Sequence, residues 1–204
     1  MNSQPVISVF ESIPDTGITV TLLVIGVLTA VCIGRYAAGH FEDHKTRIPA
    51  IFAGLTLGGS ALMLWRYSTG VMALKGIILW LILLYCSYSD IKSRECYDSP
   101  HLMIAIAACI GTELNLLPSM LTAALAVLGG LFILMTVTDA NVNGADLKIS
   151  LACTFLLGLG RGLIGLTVGL VIAIAVNLIK LKDKKEGFPL IPYLAVGFVA
   201  AYLI

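Results

Sequence analysis

Residues 71–89 read VMALKGIILWLILLYCSYS, and the nine residues that follow read DIKSRECYD. The first stretch is apolar over a length that crosses a hydrocarbon core of about 30 Å as a helix. The second stretch begins with Asp90 and is rich in charge, so the chain passes from lipid to water within a few residues. This boundary predicts a transmembrane helix that ends with a carboxylate at the membrane surface.

The whole chain has the composition of a membrane protein. Of its 204 residues, 58% are hydrophobic and 12% are charged, and the mean hydropathy is +0.97. A soluble domain has about 25% charged residues, so this composition excludes a soluble globular enzyme, a disordered chain and a nucleic-acid binder. Because alternating β-strand patterns are absent, we expect an all-α polytopic membrane helix bundle.

Eight apolar runs predict about eight transmembrane helices within a single membrane domain over residues 1–204. The fourth run is interrupted by Glu113 and Asn115, and the sixth is short. Glycines spaced four apart are typical of closely packed membrane helices; these are Gly54 and Gly58, Gly158 and Gly162, and Gly165 and Gly169. The runs lie at approximately 18–37, 49–65, 71–89, 101–117, 119–138, 147–160, 162–180 and 188–204.

Two segments carry the carboxylates of greatest interest. Asp90 ends the third run, and Asp146 begins the sixth. Two predicted crossings separate them, so both return to the same membrane face. Two carboxyl groups held close together share one proton, and such a pair can activate water and polarise a peptide carbonyl. The placement therefore indicates an aspartyl protease dyad, with no metal or cofactor required.

Structural roles compete with catalysis at each of these positions. Asp146 could cap the sixth helix while Gly144 forms the turn, and Asp90 could be an interfacial charge. We interpret Asp98 as the start of the fourth helix, close to a proline that is typical of first helical positions. Asp139 ends a run and is best interpreted as a solvated interfacial charge.

The cysteine, histidine and serine residues indicate no second catalytic or metal-binding site. The five cysteines form no CxxC pair and lie mostly in apolar runs, so we interpret them as small core residues. His40 and His44 lie in a charged loop without the HExxH order, and His101 is expected at the interface. No GxSxG turn accompanies the hydroxyls of Ser87, Ser89 and Ser93.

Three stretches together resemble the type IV prepilin peptidases, the GxGD membrane aspartyl proteases that include the archaeal preflagellin peptidases. Residues 90–98 resemble the family's D-x-K-x-R-x-I-P-N-like stretch, residues 143–148 (NGADLK) its G-x-G-D-x-K, and residues 189–197 (PLIPYLAVG) its P-x-L-x-x-G. The resemblance covers about residues 70–204, which leaves two additional N-terminal helices at 18–66. Cys96, Tyr97 and Asp98 replace Ile-Pro-Asn, and Asn143 and Ala145 replace glycines.

The resemblance implies an inner-membrane endopeptidase that removes the leader from prepilin-like precursors at the cytoplasmic face. Asp90 and Asp146 would be catalytic. Gly144 and Lys148 would shape the second motif, the lysine by holding a backbone carbonyl or a lipid phosphate. The methylating members carry two CxxC pairs in the first cytoplasmic loop, but residues 38–48 contain no cysteine, so we expect no methyltransferase activity.

Two other functions would use the same residues differently. A proton-coupled transporter could use Asp90 and Asp146 as a proton relay, but transporters more often place carboxylates at mid-bilayer and show repeat symmetry. An assembly scaffold with a dead site would not need both aspartates. The expected partners are therefore the precursor proteins and the lipid bilayer, without nucleic acid.

The distribution of basic residues generates a topology prediction. With the N-terminus outside, ten of the 13 Lys and Arg residues fall in loops on the inner side and only Arg66 and Arg161 fall in outer loops, as cytoplasmic loops attract Lys and Arg. Reporter fusions after residues 45, 95 and 184 should report cytoplasm, and fusions near residues 67 and 161 the outside. An external reading at residue 95 would contradict both the topology and the prepilin interpretation. The ten inner residues are Arg35, Lys45, Arg47, Lys92, Arg94, Lys148, Lys180, Lys182, Lys184 and Lys185.

Overall fold

The computed structural model describes residues 15–138, 144–179 and 188–204. Within these ranges the chain forms helices and no β-strand, which confirms the predicted all-α class. The elements are α1 (Asp15–His40), α2 (Arg47–Tyr67), α3 (Val71–Ser93), α4 (Asp98–Cys109), a 3-10 turn (Leu114–Leu116), α5 (Leu117–Thr138), α6 (Gly144–Ile179) and α7 (Ile191–Leu203).

Five of the described helices are long and apolar enough to cross a membrane, namely α1, α2, α3, α5 and α6. In contrast, α4 has 12 residues and α7 has 13. At 1.5 Å per residue these helices are about 18–20 Å long, which is short of the ~30 Å hydrocarbon core. The predicted count of about eight spans is therefore not confirmed. The fourth and last apolar runs form shorter helices than expected, and the sixth and seventh runs both lie in α6.

Helix α6 consists of two segments that meet at Gly158. This residue has φ 77° and ψ 172°, a left-handed conformation that glycine adopts without strain. A Cβ atom built on Gly162 would lie less than 3 Å from the side chain of Thr154, although eight residues of straight helix would separate these positions by about 12 Å. The chain therefore bends back at Gly158, close to the break predicted between the sixth and seventh apolar runs.

The first compact unit extends to Ile77 and contains α1, α2 and the start of α3. Gly34 of α1 lies against Pro49 of α2, and Gly26 lies against Ser60. Because residues earlier in α1 meet residues later in α2, the two helices are antiparallel. A turn of six residues, 41–46, joins them.

In the second compact unit, Ile78–Ile204, helix α6 packs against α4, α5 and α7. The contact between α6 and α7 depends on small residues. Gly165 lies against Phe198, Gly169 lies against Leu194, and Gly197 lies against the backbone of both α6 glycines. The prediction that Gly165 and Gly169 allow close helix packing is confirmed.

Apolar side chains also cover the outside of the long helices, where lipid is the expected neighbour. Trp65 is 84% exposed, and Leu28 and Ile174 are exposed as well. Two predictions are wrong for this reason. Cys32 and Cys109 are exposed and not in the core, whereas Cys86 and Cys153 are buried as expected. Gly54 and Gly58 do not mark a close helix contact, because a Cβ atom at either position would meet no described atom within 4 Å.

The glycine contacts generate a stability prediction. Replacing Gly197 with Ala would place its Cβ within 3 Å of backbone atoms of Gly165 and Gly169, and overpacking of this kind costs about 1–3 kcal/mol. Thermal unfolding of the purified protein in detergent should show a Tm several degrees lower. The matched variant Gly54→Ala, which meets open space, should leave the Tm unchanged or raise it slightly. Equal Tm values for the two variants would contradict the packing described for α7.

Candidate active site

An open cleft lies where the first two motif stretches meet. Its volume is about 270 Å³. One wall is the loop after α3, and the other is the first turn of α6. The lining residues are Arg94, Glu95, Cys96, Tyr97, Gly144, Ala145 and Lys148. Segments about 50 residues apart in sequence therefore form one surface.

Asp90 lies three residues before Ser93, the last residue of α3, and only 5% of its surface is exposed. Its Oδ2 accepts a hydrogen bond of 3.0 Å from the backbone N–H of Ile191, the first residue of α7. The first N–H groups of a helix have no partner within the helix, and a carboxylate is favoured by the helix dipole at that end. The buried carboxylate of Asp90 therefore serves as the acceptor for the first backbone N–H group of α7.

The loop that follows Asp90 folds back along α3. Arg94 has a left-handed φ of 60°, and its N–H donates to the carbonyl oxygen of Asp90 at 3.1 Å. The buried hydroxyl of Ser89 then donates to the carbonyl oxygen of Glu95 at 2.6 Å, and the hydroxyl of Ser93 donates to the backbone carbonyl oxygen of Ser89 at 3.0 Å. These serines hold the loop against the helix and act as structural donors in this site.

Asp146 is the third residue of α6 and is 7% exposed. Its backbone carbonyl accepts a hydrogen bond of 2.7 Å from the hydroxyl of Ser150. A carboxylate in a first turn interacts favourably with the helix dipole. Gly144 begins the same helix, and a Cβ there would meet no described atom within 4 Å. Space alone therefore does not require glycine at this position.

Lys148 has a partner other than the one expected. Its Nζ lies 2.5 Å from Oδ1 of Asp98, not at a backbone carbonyl. The ammonium of Lys148 lowers the pKa of the Asp98 carboxyl, so the pair persists at neutral pH. Asp98 also begins α4, as the sequence predicts. The ion pair joins the first motif stretch to the second.

Sequence reasoning missed a cluster around Cys96. Cys96 is half-buried, and its neighbours Cys86 and His101 lower the pKa of its thiol. His101 is buried within the protein. No spacing rule connects residues 86, 96 and 101, so only the fold-back of the loop reveals the cluster.

The structure thus relates all three motif stretches through the residues it describes. Asp90 contacts the start of α7, Asp98 contacts Lys148, and α6 packs on α7. Asp139, Asn143 and the lysines from 180 to 185 lie outside the described residues. Within the described ranges, no group of three or more His, Cys, Asp or Glu side chains is arranged to hold a metal ion.

Comparisons with known proteins identify no relative of this chain. No family model matches the chain, and neither a curated protein nor a solved structure matches it.

The hydrogen bond between Asp90 and Ile191 generates a second stability prediction. Asp90→Ala leaves a buried N–H without its acceptor, which costs about 1–3 kcal/mol, so the Tm in detergent should fall by several degrees. Asp90→Asn retains a carbonyl oxygen as acceptor and should lower the Tm by less than half as much. Hydrogen exchange at residues 190–194 should rise in the Ala variant. If both variants exchange and unfold like the parent, Asp90 does not hold the start of α7.

Proposed function

We propose that this chain is a membrane aspartyl endopeptidase of the prepilin peptidase type, with Asp90 and Asp146 as its catalytic dyad. Its substrates would be prepilin-like precursors, whose basic leader stays at the cytoplasmic face while the following helix lies in the membrane. The supporting observation is that the three stretches carrying the family resemblance meet through specific contacts. Both aspartates are also buried at helix ends, in the two segments whose neighbouring residues line one cleft.

The bend in α6 supports this assignment. In a straight helix, Asp146 would lie about 35 Å along the axis from Gly169, the residue that packs on the beginning of α7. The bend at Gly158 shortens this separation. Asp90 accepts a hydrogen bond from Ile191 at the start of α7, so a shorter separation from Gly169 favours a position of Asp146 nearer to Asp90.

The proposed reaction needs only the two carboxyl groups and water. One member of the pair acts as the ionised base and the other as the protonated acid. The ionised carboxylate takes a proton from water as the oxygen attacks the scissile carbonyl carbon, and the protonated carboxyl donates a proton to the carbonyl oxygen. The carboxyl that took the proton from water then passes it to the amide nitrogen, the C–N bond breaks, and a hydroxyl of the tetrahedral intermediate returns its proton to the other carboxylate.

The cleft gives a place for the leader beside the dyad. Glu95 is an acidic group among its lining residues and can attract a basic leader. Asp98 is engaged by Lys148 and is less suited to that role. The lysines from 180 to 185 would repel a basic leader, so the proposal assigns them no binding role.

The remaining features of the proposal concern the membrane. We infer an inner-membrane protein with about eight membrane segments and the site at the cytoplasmic face, because the basic residues concentrate on that side. The turn between α1 and α2 has six residues and no cysteine, which supports a peptidase without the methyltransferase-linked domain. The transporter alternative is less well supported, since Asp90 and Asp146 lie at helix ends rather than at mid-helix.

Leader removal from a co-expressed precursor tests the proposal directly. Asp90→Asn and Asp146→Asn should each reduce cleavage below about 1% of the parental rate, because each removes one half of the acid–base pair. The gel mobility of candidate pilins measures the cleavage, and membrane levels of each variant show that it accumulates.

Asp98→Asn is the matched control. It removes a carboxylate of the same cleft region, but an exposed ion pair contributes little, so most activity should remain. Parental cleavage by Asp146→Asn, or loss of cleavage in Asp98→Asn alone, would show that the dyad is wrongly assigned.

A further inference from the structure

Helix α4 carries a stripe of exposed apolar side chains that begins next to the candidate cleft. The helix packs against α6 and leaves one side uncovered. The uncovered side chains recur three or four residues apart, the spacing of one helix face. They start four residues after Asp98, the partner of Lys148, and therefore about 6 Å along the axis from that ion pair. This α4 stripe consists of Leu102, Met103, Ile106 and Ile110.

The other two helices that border the cleft offer no comparable surface. The residues that line the cleft belong to the loop between α3 and α4 and to the first two turns of α6. Among the described residues, α3 has no exposed side chain from 73 to 90, and α6 has none from 149 to 158. Of the helices that border the cleft, α4 is therefore the one that offers an exposed apolar surface to a segment leaving it.

We propose that the α4 stripe binds the hydrophobic helix of the precursor while the leader occupies the cleft. This inference rests on the proposed peptidase function and specifies where the substrate of that function binds. Such a precursor presents a basic leader, a scissile bond and an apolar helix in that order. The chain has a partner for each of them, namely Glu95 in the cleft, the two candidate aspartates, and the α4 stripe.

The composition and length of the stripe suit a substrate that binds and leaves. In a bilayer, apolar side chains gain little when they exchange lipid for another helix, because lipid is equally apolar. The contact therefore depends on shape, and the flexible side chain of Met103 adapts to partners of different shape. From Leu102 to Ile110 the stripe is about 12 Å long, which corresponds to roughly two turns of a bound helix. A contact of this size releases the cleaved product readily.

Photo-cross-linking in membranes locates the precursor helix. Benzoylphenylalanine is placed at position 102 or 106 of a chain that carries Asp146→Asn, so that a co-expressed prepilin-like precursor persists. Positions 125 and 133 on α5 are the controls, because Leu125 and Ile133 are 53% and 63% exposed, compared with 63% and 58% for Leu102 and Ile106. Cross-links to the precursor should form at the two α4 positions and remain at background at the two α5 positions.

Kinetics of purified variants in liposomes separate binding of the helix from catalysis. Leu102→Ala combined with Ile106→Ala should raise the KM for the whole precursor about tenfold with kcat near the parental value, because the stripe contributes binding alone. A precursor peptide that ends shortly after the scissile bond does not reach the stripe, so its KM should stay parental. Leu125→Ala combined with Ile133→Ala is the matched control and should retain the parental KM for both substrates.

The outcomes distinguish this inference from the peptidase assignment. Cleavage by the parent with equal cross-linking at all four positions, or with cross-links to lipid alone at 102 and 106, would overturn the role of α4 and leave the peptidase function intact. An equal rise in KM for the two double Ala variants would overturn it as well. If the parent cleaves no prepilin-like precursor, the peptidase function fails and this inference fails with it.

Discussion

The hydrogen bond from the N–H of Ile191 to the carboxylate of Asp90 is the interaction on which the candidate site depends. A buried N–H at a helix start needs an acceptor, because water does not reach it. Helix α7 is short, and Ile191 at its start is buried, so its N–H requires an acceptor from another helix. Asp90 supplies it across 101 residues of sequence. One buried carboxylate thus joins the end of α3 to the beginning of α7.

Close packing of α6 against α7 positions the helix that carries Asp146. Gly165, Gly169 and Gly197 let the two helices approach at backbone distance, and the bend at Gly158 turns the Asp146 end of α6 back toward this contact. Helices α4 and α5 lie between Asp98 and Lys148 in sequence, and the ion pair between these two residues joins the start of α4 to the first turn of α6. The cleft is therefore a consequence of helix ends brought together.

Much of the helical framework was predictable from hydropathy, because long apolar runs in lipid must form helices. The bounds of α1, α2, α3 and α5 differ by only a few residues from the apolar runs. Which side of each helix faces lipid was not predictable, since lipid-facing and core-facing positions are equally apolar. The predictions for four residues were wrong for this reason, namely Cys32, Cys109, Gly54 and Gly58. The partner of Lys148 and the neighbours of Cys96 depend on how loops fold back. Local sequence carries no signal for such contacts.

The central claim is that the carboxyl groups of Asp90 and Asp146 meet. Disulfide cross-linking in native membranes measures this most directly, using Asp90→Cys with Asp146→Cys in a chain whose five native cysteines are replaced by serine. The pair Gly26→Cys with Ser60→Cys, in which a Cβ atom on residue 26 would lie 3.3 Å from Oγ of Ser60, is the positive control. The account predicts that mild oxidation links both pairs within single chains. Linkage of the control pair without linkage of positions 90 and 146 would contradict it.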